Sequence, residues 1–240
     1  MDFSFSSRQR LIREAVREFL VGECAPEVSL ELAKKKQFPW EIYKKAGKNG
    51  YLASYYPKEL GGQGLPILDH CLIMEEIIRY DNRIGMALSL GSIPAKTLLR
   101  FGTEEQKKKY LLPVAKGEFI SGGAYTEPDH GSDITHMGTT ALKQGDSFVI
   151  NGTKTFITNG SLADFFVVLC QTDPSAKPPY RGQCTIIVEK GTKGLDATEI
   201  MPKMGIRMTS TAELSFSDVR VPVTQLLGEE GKGCYQVLEF

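Results

Sequence analysis

The sequence predicts an α+β protein in which a helical bundle domain (residues 1–116) precedes an antiparallel β-barrel domain (117–226). Residues 227–240 are predicted to start a further, truncated helical domain. Before residue 117 the apolar residues recur with a helical period of about 3.6, and after it they alternate with a period of about 2. The second region also contains many short apolar segments separated by turn residues, which is typical of an antiparallel barrel or sandwich.

Helices are predicted in the first domain wherever apolar residues share one face. Leu11, Val16 and Leu20 belong to such a stripe on the first helix. Thr103 and Gln106 have the form of a capping box at the start of the last one. The helices predicted in this way cover residues 7–21, the segments that follow Pro39 and Pro66, residues 86–101 with an interruption at Pro94, and residues 103–116.

The second domain is predicted to consist of short strands. Asn151 and Gly152 are predicted to form a tight turn, because this dipeptide favours positive φ. Residues 173–182, which contain three prolines, are predicted to form a long exposed loop. The predicted strands are 119–126, 138–143, 147–150, 165–171, 184–189, 197–201 and 212–216.

The composition argues against several classes of function. The formal net charge is zero, so no global field favours nucleic acid or an anionic membrane. No run of eighteen apolar residues is present, and the three histidines lack the partners of a metal site. The five cysteines are scattered without a CxxC pair, which indicates reduced thiols. The chain enters its first helix without a signal or transit segment, and a cytoplasmic location is therefore expected.

The most informative stretch is residues 124–133, where a strand ends and a polar loop begins. Pro128 has no N–H for a sheet ladder, and the Asp, Gly and Ser residues after it are turn formers. Successive N–H groups in such a turn can form a concavity that holds a phosphate. An ordinary strand-to-loop transition would use the same residue types, so both interpretations stay open at this point.

Two motifs in order along the chain carry a family resemblance. The segment TEPDHGSD at residues 126–133 is followed, after a hairpin, by GTKTFITNG at residues 152–160. Together they resemble the paired flavin-binding signature of the acyl-CoA dehydrogenase family, and the similarity covers essentially the whole chain. The resemblance implies FAD as cofactor and an acyl-CoA thioester as substrate. It also implies an electron-transfer flavoprotein as electron acceptor and a homo-oligomer of two or four subunits.

The resemblance assigns roles to residues of the first motif. Tyr125 and Thr126 would lie along the isoalloxazine and donate hydrogen bonds to its pyrimidine edge. Gly131 and Ser132 would hold the FAD pyrophosphate, and Ser132 would also face the CoA part of the substrate. Each position has an ordinary structural alternative: Tyr125 as a strand core residue and Ser132 as a turn residue.

The second motif supplies Phe156 and Thr158, which would border the flavin with the Thr158 hydroxyl near N5. Phe156 could instead be a core residue of the strand, and Thr158 a β-former ahead of a turn. Many relatives carry tryptophan where Phe156 stands and an aliphatic residue where Tyr125 stands. Phenylalanine keeps an aromatic face but lacks the indole N–H. This departure affects how the protein would tune the flavin, and it does not affect the predicted fold.

In the family, a proton leaves the α-carbon of the thioester while a hydride passes from the β-carbon to flavin N5. The resemblance places the general base in a helical domain beyond residue 240, so no catalytic residue is predicted within 1–240. The 240-residue chain is accordingly expected to fold, to bind FAD poorly and to be inactive. Two alternatives stay open: a related flavin oxidase or monooxygenase, and a non-enzymatic flavin-fold binding protein. The neutral charge disfavours a DNA-binding version of the latter.

Overall fold

A computed structural model describes residues 4–239 and confirms a helical region followed by a sheet. The helices are α1 (Ser7–Glu23), α2 (Pro26–Lys35), α3 (Trp40–Lys48), α4 (Ile67–Tyr80), α5 (Asn82–Leu90), α6 (Ala95–Phe101), α7 (Glu104–Ala115) and α8 (Gly233–Leu238). The strands are β1 (Ser121–Ala124), β2 (Thr140–Gln144), β3 (Ser147–Thr158), β4 (Phe165–Gln171), β5 (Gln183–Glu189), β6 (Leu195–Glu199), β7 (Thr211–Pro222) and β8 (Leu226–Leu227).

The first compact unit consists of the described residues up to Ser92 together with Leu112–Glu118 and Lys203–Thr209. In it, the carboxylate of Glu76 on α4 is buried and accepts hydrogen bonds from two arginines of α1, with Arg17 Nε at 2.7 Å. A buried carboxylate is tolerated when it is both paired and hydrogen-bonded. The packing of α1 on α4 therefore includes an ionic contact beside the predicted apolar stripe.

The apolar stripe of α1 is narrower than the sequence predicts. Val16 and Leu20 are fully buried, whereas Leu11 is 64% exposed. Leu68, an apolar residue near the start of α4, is also exposed. Helical spacing places residues on one face, but it does not determine which of them a neighbouring element covers.

The second unit contains Ile93–Leu111, Phe119–Pro202 and the residues from Ser210 onward. Its eight strands form one sheet in the order β6-β7-β3-β2-β4-β5-β8, with β1 paired to β4 off this path. All seven residues of β4 are buried, as expected of an uninterrupted apolar central strand. The strand bounds predicted for β4 are confirmed.

The predicted closed antiparallel barrel needs correction. The sheet is not closed, because β6 and β8 stand at opposite ends of the strand order and do not pair with each other. It is also mixed, since β4 pairs in parallel with β1 and, at one residue, with β2. The region is thus a mixed open sheet that follows a helical region.

The prediction of a tight turn at Asn151 and Gly152 is wrong. Both residues lie inside β3, which pairs with β7 on either side of a register shift between Ile150 and Gly152. Gly152 has φ +144°, and a Cβ there would lie within 2.6 Å of the Thr139 hydroxyl oxygen. Glycine is therefore required by close approach at a bulge rather than by a hairpin turn.

Two helix predictions are confirmed in detail. The capping box of α7 is present: the Thr103 N–H donates to Gln106 Oε1 at 3.0 Å, and the Gln106 N–H donates to Thr103 Oγ1 at 3.2 Å. The helix predicted near Cys234 is α8, in which Cys234 is buried. Phe240, also placed in this helix by the sequence, lies outside the described residues.

Further properties of residues 4–239 bear on function. No helix in this range combines the length and the apolar character that crossing a membrane requires. The same residues contain no group of three His, Cys, Asp or Glu side chains suited to a metal ion. All five cysteines are free thiols. The predicted domain bounds at residues 116/117 and 226/227 stay predictions.

Candidate functional site

The two motif segments lie side by side in the second unit. The backbone N–H of Thr155, within β3, donates to the backbone carbonyl of Thr126 at 2.9 Å. One residue earlier on each segment, Lys154 Nζ donates to the carbonyl of Tyr125 at 3.1 Å. These two bonds hold the end of the first motif strand against the second motif. Segments some thirty positions apart in sequence therefore meet at one place.

Tyr125 turns its side chain into the protein. A Cβ on Gly123 would lie 3.0 Å from the Tyr125 ring, so the glycine leaves room for the ring to fold back. The phenolic oxygen is buried next to Thr97, and this burial raises the pKa of Tyr125. Thr126 is half-buried, and within the described chain its hydroxyl forms no hydrogen bond. The Thr126 side chain is therefore available to a ligand, whereas the Tyr125 carbonyl is already bonded to Lys154 Nζ.

Gly131 and Ser132 are exposed on the loop between β1 and β2. Neither residue forms an intramolecular hydrogen bond among residues 4–239, and nothing lies within 4 Å of a Cβ built on Gly131. By contrast, the Asp133 carboxylate is occupied, since it accepts hydrogen bonds from the Thr135 hydroxyl and N–H and lies 3.1 Å from His136 Nδ1. These bonds lower the pKa of Asp133 to about 2. The loop thus offers uncommitted N–H groups to an anion.

Phe156 departs from ordinary strand geometry. Its φ is +56° and the residue is 66% exposed. It lies at a register shift between β3 and β7, where pairing breaks after Lys154 and resumes at Ile157. Bulges of this kind re-aim a side chain, and a left-handed conformation is costly for a bulky residue. The backbone here presents an aromatic face to the outside.

Thr158 is the last residue of β3 and pairs with Thr211 of β7. It is half-buried. Its hydroxyl forms no hydrogen bond to any other described residue, so it can donate one to a ligand.

Sequence reasoning missed two residues of this site, Glu127 and Lys154. Lys154 is 0% exposed and Glu127 is 5% exposed, and Lys154 Nζ lies 2.8 Å from Glu127 Oε1. Burial raises the pKa of Glu127, but the charge of Lys154 and the hydrogen bonds to the carboxylate outweigh it, so the pKa is lowered. Burial lowers the pKa of Lys154, and Glu127 opposes that shift. The available signal was a lysine inside an otherwise apolar and threonine-rich strand.

Two family models match this chain. Residues 6–118 match the model described as acyl-CoA dehydrogenase, N-terminal domain, and residues 122–219 match the middle domain of the same family. A short-chain specific acyl-CoA dehydrogenase from Clostridium acetobutylicum is 42% identical over 234 residues, which is 97% of this chain and 61% of the relative. The chain belongs to the acyl-CoA dehydrogenase family.

Solved structures agree with this assignment. A chain in the structure of the electron transferring flavoprotein of Acidaminococcus fermentans superposes with a TM-score of 0.92 at 39% identity, covering 100% of this chain and 62% of that one. The structure of PigA with FAD and proline gives a TM-score of 0.91 at 32% identity, with coverages of 100% and 62%. This chain therefore spans less than two thirds of the length of these proteins.

Members of this family bind FAD, and the exposed groups of the candidate site fit that cofactor. The outward ring of Phe156 offers a flat apolar face of the kind a flavin ring stacks on. The uncommitted N–H groups of Gly131 and Ser132 suit a pyrophosphate. The hydroxyls of Thr126 and Thr158 add two donors whose hydrogen-bonding capacity no other described residue uses.

Proposed function

We propose that this chain forms the helical and middle domains, residues 1–116 and 117–226, of an FAD-dependent acyl-CoA dehydrogenase. The reaction is the α,β-dehydrogenation of an acyl-CoA thioester to the trans-2-enoyl-CoA. The observation that carries the proposal is the bond between Thr155 N–H and Thr126 C=O, which joins the two motifs. The substrate class is supported by family membership and by the short-chain specific relative.

The roles proposed for Thr126, Gly131 and Ser132 follow from hydrogen-bonding groups that no other described residue uses. When bound, FAD supplies the acceptor for the hydride that leaves the β-carbon. Gly131 and Ser132 hold the pyrophosphate through their N–H groups, and Ser132 also faces the CoA part of the substrate. Thr126 and Tyr125 lie along the isoalloxazine and orient its pyrimidine edge, and the Tyr125 hydroxyl itself is buried beside Thr97.

Phe156 and Thr158 act on the ring itself in this proposal. The Phe156 side chain covers one part of the ring and excludes water from it. The Thr158 hydroxyl donates a hydrogen bond near N5, where negative charge develops during the reaction. A donor aimed at developing charge stabilises the transition state more than the ground state.

The general base is not assigned to a residue of this chain. Glu127 lies within the first motif, but it is buried, paired with Lys154 and hydrogen-bonded to two backbone N–H groups. Its pKa is lowered, which makes it a weak proton acceptor. We therefore propose that the base comes from a residue outside positions 1–240.

We further propose an electron-transfer flavoprotein as the electron acceptor, a homo-oligomer as the active assembly, and a cytoplasmic location. The free state of all five cysteines supports a reducing compartment. Stopped-flow reoxidation of the reduced enzyme tests the acceptor. Slow reaction with oxygen and fast reaction with an electron-transfer flavoprotein are expected, and fast reaction with oxygen would identify an oxidase.

Titration of the 240-residue chain with FAD and with riboflavin tests the site directly, with flavin fluorescence as the readout. FAD is expected to bind more tightly than riboflavin, because only FAD carries the pyrophosphate that Gly131 and Ser132 bind. Since this chain is expected to bind both ligands weakly, the ratio of the FAD affinity to the riboflavin affinity, rather than either value alone, tests the proposal.

Phe156→Ala should weaken the binding of both ligands. Tyr235→Ala is the matched control, because it removes another exposed aromatic ring of the same unit and should change neither affinity. Equal affinity for FAD and riboflavin, or no uptake of either, would contradict the proposal.

A further inference from the structure

The roles proposed above leave one feature of the site unused, the buried pair of Glu127 and Lys154. Two charges taken out of water carry a large desolvation penalty, which their attraction offsets only with good geometry and further hydrogen bonds. A pair of apolar side chains of similar size would fill the same space without that penalty. The pair therefore calls for an explanation beyond packing.

The contacts of Glu127 close a loop. We call residues 127–138 the motif loop; it contains Gly131 and Ser132. Glu127, at its first position, accepts a hydrogen bond from the N–H of Gly138 at 2.7 Å and from the N–H of Thr139 at 2.8 Å. One carboxylate thus ties the start of the motif loop to its end.

The contacts of Lys154 connect that closed loop to β3. Its ammonium group donates to Glu127 Oε1 at 2.8 Å, to the Tyr125 carbonyl at 3.1 Å and to the Met137 sulfur at 3.3 Å. An ammonium has three N–H donors, and all three have partners here. Lys154 therefore has no donor left for a ligand, and any effect on a ligand passes through the groups that it holds.

Close approach of the backbones reinforces this arrangement. The Thr139 hydroxyl lies 3.4 Å from the carbonyl of Thr153 on β3. A Cβ on Gly138 would lie 3.2 Å from Glu127 Oε2, so glycine leaves room for the carboxylate. The base of the motif loop, the end of the first motif strand and β3 are thus joined around one ion pair.

We propose that Glu127 and Lys154 are positioning residues for FAD. They hold the motif loop, with its phosphate-binding N–H groups, and the Tyr125–Thr126 backbone in fixed register with Phe156 and Thr158 on β3. This inference rests on the proposed function. Small displacements of binding groups have large effects, since a misplacement of about 1 Å can cost about 100-fold in rate.

Three variants separate this role from general stabilisation. Glu127→Gln keeps the shape but leaves one oxygen to serve two N–H groups and an ammonium. Lys154→Met keeps the length and removes the charge, and the third variant combines both changes. Glu189→Gln is the control, because Glu189 is also paired with a lysine, Lys109, and bonded to a tyrosine in the same unit but lies outside the motifs.

Amide hydrogen exchange of the 240-residue chain is the first readout. In Glu127→Gln and Lys154→Met, exchange at Gly138 and Thr139 should accelerate at least about tenfold, which corresponds to about 1.4 kcal/mol. Exchange in β5, for example at Ile187, should stay close to that of the parent. Equal acceleration at all three amides would show a merely structural pair and would overturn the proposal.

FAD titration is the second readout. Each single variant should bind FAD at least about tenfold more weakly than the parent, whereas Glu189→Gln should bind like the parent. The double variant should lose no more FAD affinity than the single variant that binds FAD more weakly, because the double variant leaves no uncompensated buried charge. If Lys154→Met does not fold, Glu127→Gln and its control decide by the same criteria.

The outcomes distinguish this inference from the proposed function. Parent-like FAD affinity in Glu127→Gln, with a parent chain that binds FAD, overturns the positioning role and leaves the proposed function intact. A parent chain that takes up no FAD overturns the proposed function instead. In that case the exchange contrast between the motif loop and β5 alone decides whether the pair holds the loop.

Discussion

Phe156 offers a test of whether backbone strain is retained for a ligand. The residue has φ +56° and is 66% exposed. An L-residue in the left-handed region costs about 1–2 kcal/mol, and glycine avoids this cost because it lacks a Cβ. Replacing Phe156 by glycine and by alanine separates the strain from the loss of the ring, since both variants lack the ring and only alanine keeps the Cβ.

The magnitudes can be worked from the exposure. A phenylalanine side chain buries about 150–250 Å² when fully covered, so a third of it covers about 50–80 Å². At about 25 cal/mol per Å², losing that contact costs about 1–2 kcal/mol. In Phe156→Gly the relief of strain offsets most of this loss. Phe156→Gly should therefore be about 1 kcal/mol more stable than Phe156→Ala.

Leu142 is the matched site, because it is 45% exposed in the neighbouring strand β2 and does not have a positive φ. There the order should reverse, since glycine inside a strand is less stable than alanine by about 0.5–1 kcal/mol. Urea denaturation of the four variants measures the two differences.

Alanine as stable as glycine at position 156 would refute the strain argument. The two Phe156 variants should also bind FAD equally weakly, up to about tenfold below the parent, because an aromatic contact contributes about 0.5–1.5 kcal/mol. Parent-like FAD affinity in both would refute the ligand role of the ring.

Three further predictions concern the same region. Gly152→Ala should lower the free energy of unfolding by about 2–5 kcal/mol, because φ +144° is disfavoured for alanine and the added Cβ would overlap Thr139. Gly145→Ala is the control: Gly145 has φ +59° with open space around it, so this change should cost only about 1–2 kcal/mol in the same denaturation assay. The lowered pKa of Glu127 means that its ionised form contributes stability above the usual value of 4.5 and loses it as the pH falls through the lowered pKa. The stability difference between parent and Glu127→Gln should therefore shrink on acidification below 4.5, and a constant difference would contradict this. In the active enzyme, Thr158→Ala should slow flavin reduction by up to about 100–1,000-fold with little change in acyl-CoA binding, and an unchanged single-turnover rate would exclude the hydrogen bond near N5.

Local signals in the sequence predicted the elements whose stability is itself local. The capping box at Thr103 and Gln106 needs only residues three positions apart, and it is present as predicted. The uninterrupted apolar run of β4 likewise predicts a central strand with the observed bounds. Both predictions succeeded because no distant partner is needed to specify them.

Pairing between distant segments could not be predicted in this way. Asn151 and Gly152 have the composition of a hairpin turn, yet β7, some sixty positions later, pairs with β3 on both sides of them. The parallel pairing of β1 with β4 also has no signature in either strand. The closed barrel was an inference from the number of short strands, and strand number does not determine which strands lie at the edges.

The candidate site lies where strand periodicity breaks, and this explains which of its residues the sequence pattern could locate. Counting by two from the buried Phe148 and Ile150 reaches Lys154 and then Phe156, so strict alternation predicts that both side chains point inward. Lys154 is indeed buried, although its charge alone would place it outside. Between Lys154 and Ile157 the bulge changes the parity, so that Phe156 is exposed and Ile157 is buried. A period-2 pattern cannot reveal such a change, because the residue that breaks it is an ordinary strand former. The motif indicated the candidate site, whereas the inward lysine and the outward ring required the strand pairing that the structure supplies.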